Sequence, residues 1–235
     1  MLDKRITFGG EVIPAWIASV PTIIRAPRKM TITEIAGSNR EVVEMEDAWE
    51  CYDQPYTLFV GDGTENSVQD IIRDVTRVLY KKGWQTLVDD YETDVYRLAY
   101  FQGPFDVENR FTRAGKFDVT FRCRPERFLI SGNISVSVPN NEKIFNPTAY
   151  SSKPLIHIEG SGSGTVTVAG TIMSFTNIVD YLNLDCEKQD CYRLPNENRN
   201  NLMTGEYPVL KSGENTVSFT GGITSVTITP KWFVI

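Results

Sequence analysis

Residues 181–235 read YLNLDCEKQDCYRLPNENRNNLMTGEYPVLKSGENTVSFTGGITSVTITPKWFVI, and this stretch decides the fold class. YLNLDCE, TVSFTG and SVTITPKWFV alternate apolar with polar residues over strand lengths, and Gly, Asn and Pro stand between them. EKQD is a hairpin turn flanked by Cys186 and Cys191. NENRNNLMTGEYP is the longest gap, and its Asn content suits an ordered surface turn. The stretch carries no His, no carboxylates at ligand spacing and no phosphate loop. Upstream, NISVSV, PLIHIEG, GTVTVAG and TIMSFTN continue the same spacing with no helix period. Many short strands of this kind predict an antiparallel sandwich or jelly-roll. GSGSG (160–164) opens no helix and precedes no Lys-Ser or Lys-Thr pair, so it reads as a flexible hairpin turn joining two strands rather than a phosphate loop.

Composition shifts near Pro125, from a charge-dense first part to a second part rich in Ser, Thr, Asn and Gly, which predicts domains over residues 1–130 and 131–235. In the first, TLFVG (57–61), VYRLAYFQG (95–103) and FDVTFRCRP (117–125) read as strands. Between them, Val68, Ile71, Ile72, Val75, Val78 and Leu79 recur with the period of a helix face. Ser67 with Asp70 makes a capping-box-like start, Lys81 and Lys82 suit the negative end of the helix dipole, and Gly83 supplies the stop. RKMTITEIAGSNREVVEMEDAWE (28–50) reads as two strands joined by Gly37, Ser38, Asn39 and Arg40. Its faces mix charged and apolar residues, so this hairpin is expected to protrude. The fold class is therefore mainly β: a first β domain with one amphipathic helix, then an antiparallel β-sandwich.

A chain of 235 residues with 41% apolar and 11% aromatic residues buries real cores. Its net charge of −6 is spread over both parts, with 17 basic against 21 acidic residues up to position 130 and 7 against 9 beyond it. Neither part has the basic footprint of a nucleic-acid binder. VIPAWIASVPTII near the N-terminus is broken by Pro14 and Pro21 and follows an acidic residue, a poor signal peptide. No run approaches the ~18 apolar residues of a membrane span, so a soluble protein made in a cytoplasm is expected. The four cysteines (Cys51, Cys123, Cys186, Cys191) read as thiols, with Cys186 and Cys191 the one pair placed for a bridge.

Catalytic chemistry finds little purchase. The single histidine, His157, excludes an HExxH zinc site, and strand alternation puts it on a surface face with Leu155 and Glu159, opposite Ile156 and Ile158. Asp89 with Asp90, or Glu44 with Glu46, are conceivable carboxylate pairs, but the first reads as a polar turn and the second as a solvated hairpin face. No catalytic residue, metal ligand or cofactor site is assigned. Trp49 with Tyr52 and Tyr56 is a candidate sugar-stacking patch, against a more ordinary packing role.

Three segments carry a resemblance across essentially the whole chain: FDVTFRCRPERFL (117–129), YSSKPLIHIEGSGSGTVTVAGT (150–171) and CYRLPNENRNNLMTGEYPVLKSGENTVSFTGGITSVTITPKWFV (191–234). In the last, Gly205, Tyr207 and Pro208, then Leu210, Gly213 and Asn215, lead into the final strands. In this order they resemble the distal tail proteins (Dit) of siphophages, tail-tip ring components also found in prophages. The resemblance implies a ring-forming first domain and a galectin-like second one. It implies a hexameric hub ring, single or as two stacked rings, under the tail tube protein. That ring supports a tail-associated lysin or fibre protein and in some phages holds receptor-binding proteins. It also implies a virion tail-tip location after assembly in the bacterial host cytoplasm, with DNA passing through the lumen without specific binding. Larger relatives insert carbohydrate-binding modules, for which this chain has no room. The alternative function is a galectin-like carbohydrate-binding module that contacts the host cell wall. Cyclic assembly needs one protruding element and one receiving surface per copy. The 28–50 hairpin is the candidate protrusion, with Arg40, Glu44, Glu46 and Trp49 expected at or near the subunit interface.

Overall fold

The computed structural model describes residues 4–61, 68–111 and 114–235. These fall into two compact units, one ending at Arg127 and joined by Ile235, the other Phe128–Val234.

The first unit contains β1 (Ile6–Phe8), β2 (Glu11–Val12), β3 (Trp16–Ile17), β4 (Arg28–Glu34), β5 (Glu41–Trp49), β6 (Tyr52–Val60), α1 (Val68–Leu79), β7 (Gln85–Asp89), β8 (Val95–Phe101), β9 (Val107–Phe111) and most of β10 (Ala114–Leu129). Its main sheet runs β2-β1-β7-β8-β10-β6-β3, with β9 against β10. The Ile17 N–H donates to the Lys4 carbonyl at 2.8 Å, so the chain just ahead of β1 meets β3 and the sheet curls into a barrel. Period-2 alternation decides what goes inside. Along β6, Tyr52, Gln54, Tyr56, Leu58 and Val60 are buried, while along β10 the buried set includes Phe117, Val119, Phe121 and Cys123.

Helix α1 adds Val68, Val75, Val78 and Leu79 to this core, with Ile71 and Ile72 packed at its margin, the face read from the sequence. The expected capping residue Ser67 lies outside the described residues. Lys81 does more than sit near a helix end: it pairs with Glu11 at 2.7 Å and donates to the Gly9 carbonyl at 2.9 Å, tying the helix exit to the β1–β2 turn. Arg77 reaches the same carboxylate, and the two cations hold Glu11 below the usual carboxylate range.

In the second unit follow β11 (Val136–Ser137), β12 (Glu142–Asn146), β13 (Leu155–Val168), β14 (Thr171–Ile178), β15 (Tyr181–Asp185), β16 (Asp190–Tyr192), β17 (Met203–Gly205), β18 (Gly213–Thr229) and β19 (Phe233–Val234). The expected turn at GSGSG is not a turn. PLIHIEG and GTVTVAG are the two halves of β13, and TVSFTG and SVTIT the two halves of β18. The front of β13 pairs with β15 and the end of β18; its back pairs with β14 and the start of β18, with the register shifting between Glu159 and Gly164. One pair of long strands thus serves both layers of an antiparallel sandwich, whose core includes Ile156, Ile158, Val166, Phe175, Leu184 and Val226.

Glycine permits the bend because two backbones touch there. A Cβ on Gly222 would stand 1.7 Å from the Ser161 carbonyl oxygen, and one on Gly160 would stand 2.4 Å from that of Gly222. A glycine-rich run therefore signals close backbone approach inside a strand as readily as a connection between strands. Cys186 and Cys191 flank the β15–β16 turn as expected and are free, buried thiols. The Asn-rich gap holds itself in place: the Asn200 carboxamide accepts from the Cys191 N–H and donates to Asp190, and Asn198 donates to the same carboxylate.

Candidate functional site: a two-faced hairpin

Among the described residues, strands β4 and β5 pair only with each other, as a separate two-stranded sheet. Every residue of β4 is exposed, and so is β5 as far as Asp47. The pairing places Met30 opposite Met45, Ile32 opposite Val43, and Glu34 opposite Glu41 on one face. Thr31 opposite Glu44 and Thr33 opposite Val42 occupy the other. The first face is an apolar ladder in open solvent: Met30 is 48% exposed, Ile32 53%, Val43 45% and Met45 64%. Monomeric surfaces scatter such residues singly; a contiguous row marks a site of association.

The ends of the hairpin explain why it holds its shape. At the tip, Gly37 adopts φ +77°, the Ser38 N–H donates to the Ile35 carbonyl, and the Ser38 hydroxyl accepts from the Arg40 N–H. At the root, Arg28 donates to the Glu46 carbonyl at 3.0 Å and pairs with Asp47 at 3.3 Å. Its guanidinium lies 5.8 Å from the Trp49 ring centre. Trp49 and Ile24 are partly buried against the core of the first unit.

Arg40 lies at the tip, Glu44 on the polar face, Glu46 in the irregular stretch between Met45 and Trp49, and Trp49 at the root. From Arg40 to Trp49 the strand covers roughly 30 Å at its ordinary rise per residue. The four residues therefore mark out the length of the hairpin and do not converge on one spot. The apolar ladder is what the sequence reading missed. Its signal was present as M-x-I and V-x-M, but matching them requires the register. The pairing of Glu34 with Glu41 leaves a six-residue connection, Ile35 to Arg40, two residues longer than Gly37 to Arg40.

A second cluster lies within the barrel. Asp89, read from the sequence as part of a polar turn, is buried at the end of β7. It accepts from the Tyr56 hydroxyl at 2.7 Å and from Arg97 at 3.1 Å, and its other oxygen takes the Tyr91 and Glu92 N–H groups. Arg97 also donates to the Tyr52 hydroxyl and Glu92, and Arg127 pairs with Glu92 at 2.9 Å. Burial pushes the Tyr56 phenol far up, with the Asp89 charge adding to it and Arg97 opposing. A cavity of about 150 Å³ adjoins this network, walled by Val20, Pro21, Ile23 and Tyr91 among others. The charges answer one another inside the fold, an arrangement that holds the barrel end together. Tyr52 and Tyr56 are both buried, so the candidate stacking patch around Trp49 does not form and the ordinary packing role holds for these two residues.

His157 lies on the outer face of β13, as read: its Nδ1 is 2.8 Å from the Asn183 side-chain oxygen, its ring packs near Tyr181, and Glu159 is 3.7 Å from Nε2. Glu44 and Glu46 are separate solvated side chains on the hairpin.

Residues 56–123 match the family model of the phage tail protein RIFT-related domain. A comparison with curated proteins gives no significant sequence match. Among solved structures, the Dit protein of phage SPP1, described as a paradigm of the hub adsorption apparatus of phages infecting Gram-positive bacteria, superposes with a TM-score of 0.77 at 13% identity over 99% of each chain. A chain of the phage P2 baseplate, in its activated conformation with Ca, gives a TM-score of 0.53 at 10% identity over 95% of this chain and 97% of that one. Residues 56–123 are thus similar to the phage tail RIFT-related domain, and the chain as a whole has the fold of the SPP1 Dit protein.

Proposed function

We propose that this chain is a structural subunit of a siphophage tail tip, whose copies close into a hexameric hub ring between the tail tube protein and the tail-associated lysin or fibre, with receptor-binding proteins attached outside. The observation that carries this reading is the likeness to the SPP1 hub protein over 99% of both chains. The exposed hairpin supplies what cyclic assembly needs, a protruding element on every copy, and Arg40, Glu44, Glu46 and Trp49 all belong to it. An acidic protomer with a net charge of −6 suits a ring that must pass DNA without holding it. The ring is assembled in the bacterial host cytoplasm and works in the virion. Its role is mechanical rather than enzymatic, and purified protein is expected to leave the turbidity of a cell-wall suspension unchanged.

Negative-stain microscopy and light scattering of the purified protein test the proposal. Six-fold rings with a central hole are expected. Monodisperse monomers at micromolar concentration, with binding to a cell-wall glycan, would transfer the assignment to a carbohydrate-binding module.

A further inference from the structure

We infer that the hairpin engages the next copy through its apolar face, and that the surface receiving it is the outer wall of the barrel around Trp84, Leu98 and Tyr100. This rests on the ring reading above and adds to it which face is buried and where it lands.

The wall is defined by the alternation that fills the barrel. Where Leu87, Arg97 and Ala99 point inward, Val88, Leu98 and Tyr100 point out. Trp84, 39% exposed, meets the Tyr100 ring edge-on at 5.0 Å, and the Arg124 guanidinium lies 5.1 Å from the Trp84 ring centre. Thr86 pairs with Leu98 across β7 and β8, so these side chains form one continuous patch. An outer sheet face usually carries Thr, Lys and Glu; this one carries exposed Trp84 with Val88, Leu98 and Tyr100 half-buried beside it, large apolar groups of the kind found at an interface centre.

Two properties match it to the hairpin. The first is shape and chemistry: the ribbon face offers two methionines, an isoleucine and a valine, with the Glu34–Glu41 pair at its tip end, and methionine sulfur packs well against aromatic rings. The second is charge. The hairpin from Arg28 to Glu50 carries six acidic residues against three basic ones. The wall beside the aromatic patch carries Arg122 and Arg124 on β10, with Asp53 opposite Arg122 at 3.1 Å. An acidic ribbon with an apolar underside meets an aromatic wall with a basic margin. Glu44, on the other face, then stays toward solvent or toward that margin. A heterologous contact of this kind uses different surfaces on the two partners, so it propagates around an axis instead of stopping at a dimer.

The test uses complementing variants. Ile32→Glu/Val43→Glu disables the ribbon, and Leu98→Glu disables the wall; each alone is expected to be monomeric by light scattering with a wild-type circular dichroism spectrum. Mixed in equal amounts, they retain one intact ribbon and one intact wall, and a dimer is expected. Glu44→Gln is expected to shift the assembly midpoint less than about tenfold. A second measurement avoids any folding defect: Val43→p-benzoylphenylalanine in otherwise wild-type protein should photo-crosslink to residues 84–100 of another copy. A mixture that stays monomeric beside an assembling wild type, or crosslinks that map elsewhere, would overturn the assigned wall and leave the ring standing. A wild type that never assembles would remove the ring reading, and this inference with it.

Discussion

Gly222 and the Ser161 carbonyl oxygen set the tightest constraint in the sandwich. With a would-be Cβ 1.7 Å from that oxygen, Gly222→Ala must separate β13 from β18 at the bend, and a loss of about 3 kcal/mol or more is expected in urea unfolding. Gly162→Ala, at φ +79° with nothing within 4 Å, should cost only about 1 kcal/mol, because strain alone acts there. In the barrel, Tyr56→Phe removes one donor from buried Asp89, and a loss of about 1–3 kcal/mol is expected by the same measurement. The buried thiols make a pH prediction. Burial pushes Cys123 and Cys186 up to about 12 and Cys191 to about 11. A thiol raised in the folded state adds stability that is fully present below its unfolded value of about 8.5 and is lost as pH rises through the folded value. The urea midpoint should therefore fall steadily from about pH 8.5 to 11, and iodoacetamide at pH 8 should label half-buried Cys51 well before the other three cysteines.

Helix α1 was legible in the sequence because six apolar positions at helical spacing leave no other element that buries them together. The protruding hairpin was legible for the opposite reason, as neither face could be buried whole. What stayed hidden was register. Nothing local in GSGSG distinguishes a turn from a bend inside a strand; the difference is made by Gly221 and Gly222, some sixty residues away, packing against it. Asp89 was misread for the same reason, since its partners Tyr56 and Arg97 come from other strands. The apolar ladder required knowing that Ile32 faces Val43. Deleting Gly37 to Arg40 tests this element directly. The ribbon is its own sheet, so a folded protein with unchanged circular dichroism is expected, eluting as a monomer where the wild type assembles. Intact rings would show that the hairpin tip is dispensable.

At the scale of the molecule, each unit has a core of its own, built from different strands. A fragment of residues 128–234 is therefore expected to fold alone, with a strand-type circular dichroism spectrum and one cooperative thermal transition. The fold class could be read from spacing alone, because both units obey period 2 almost everywhere. The job was not legible in spacing; the order of the three segments 117–129, 150–171 and 191–234 pointed to it, and the residues proposed for assembly are ordinary Met, Ile, Val and Trp in unusual exposure.

Between Arg28 and Met30 one strand advances two residues while the other, from Trp49 back to Met45, advances four, so β5 carries two residues that β4 does not match. Unequal strand lengths bend a ribbon, and this bend sets the direction in which it leaves the barrel. When a ribbon is handed from copy to copy, that direction becomes the rotation per step, and the rotation per step is the reciprocal of the ring's count. Shortening β5 by two residues at Glu46 and Asp47 is thus expected to change how many subunits close the circle, or to leave it open as a spiral, while each joint between neighbours survives.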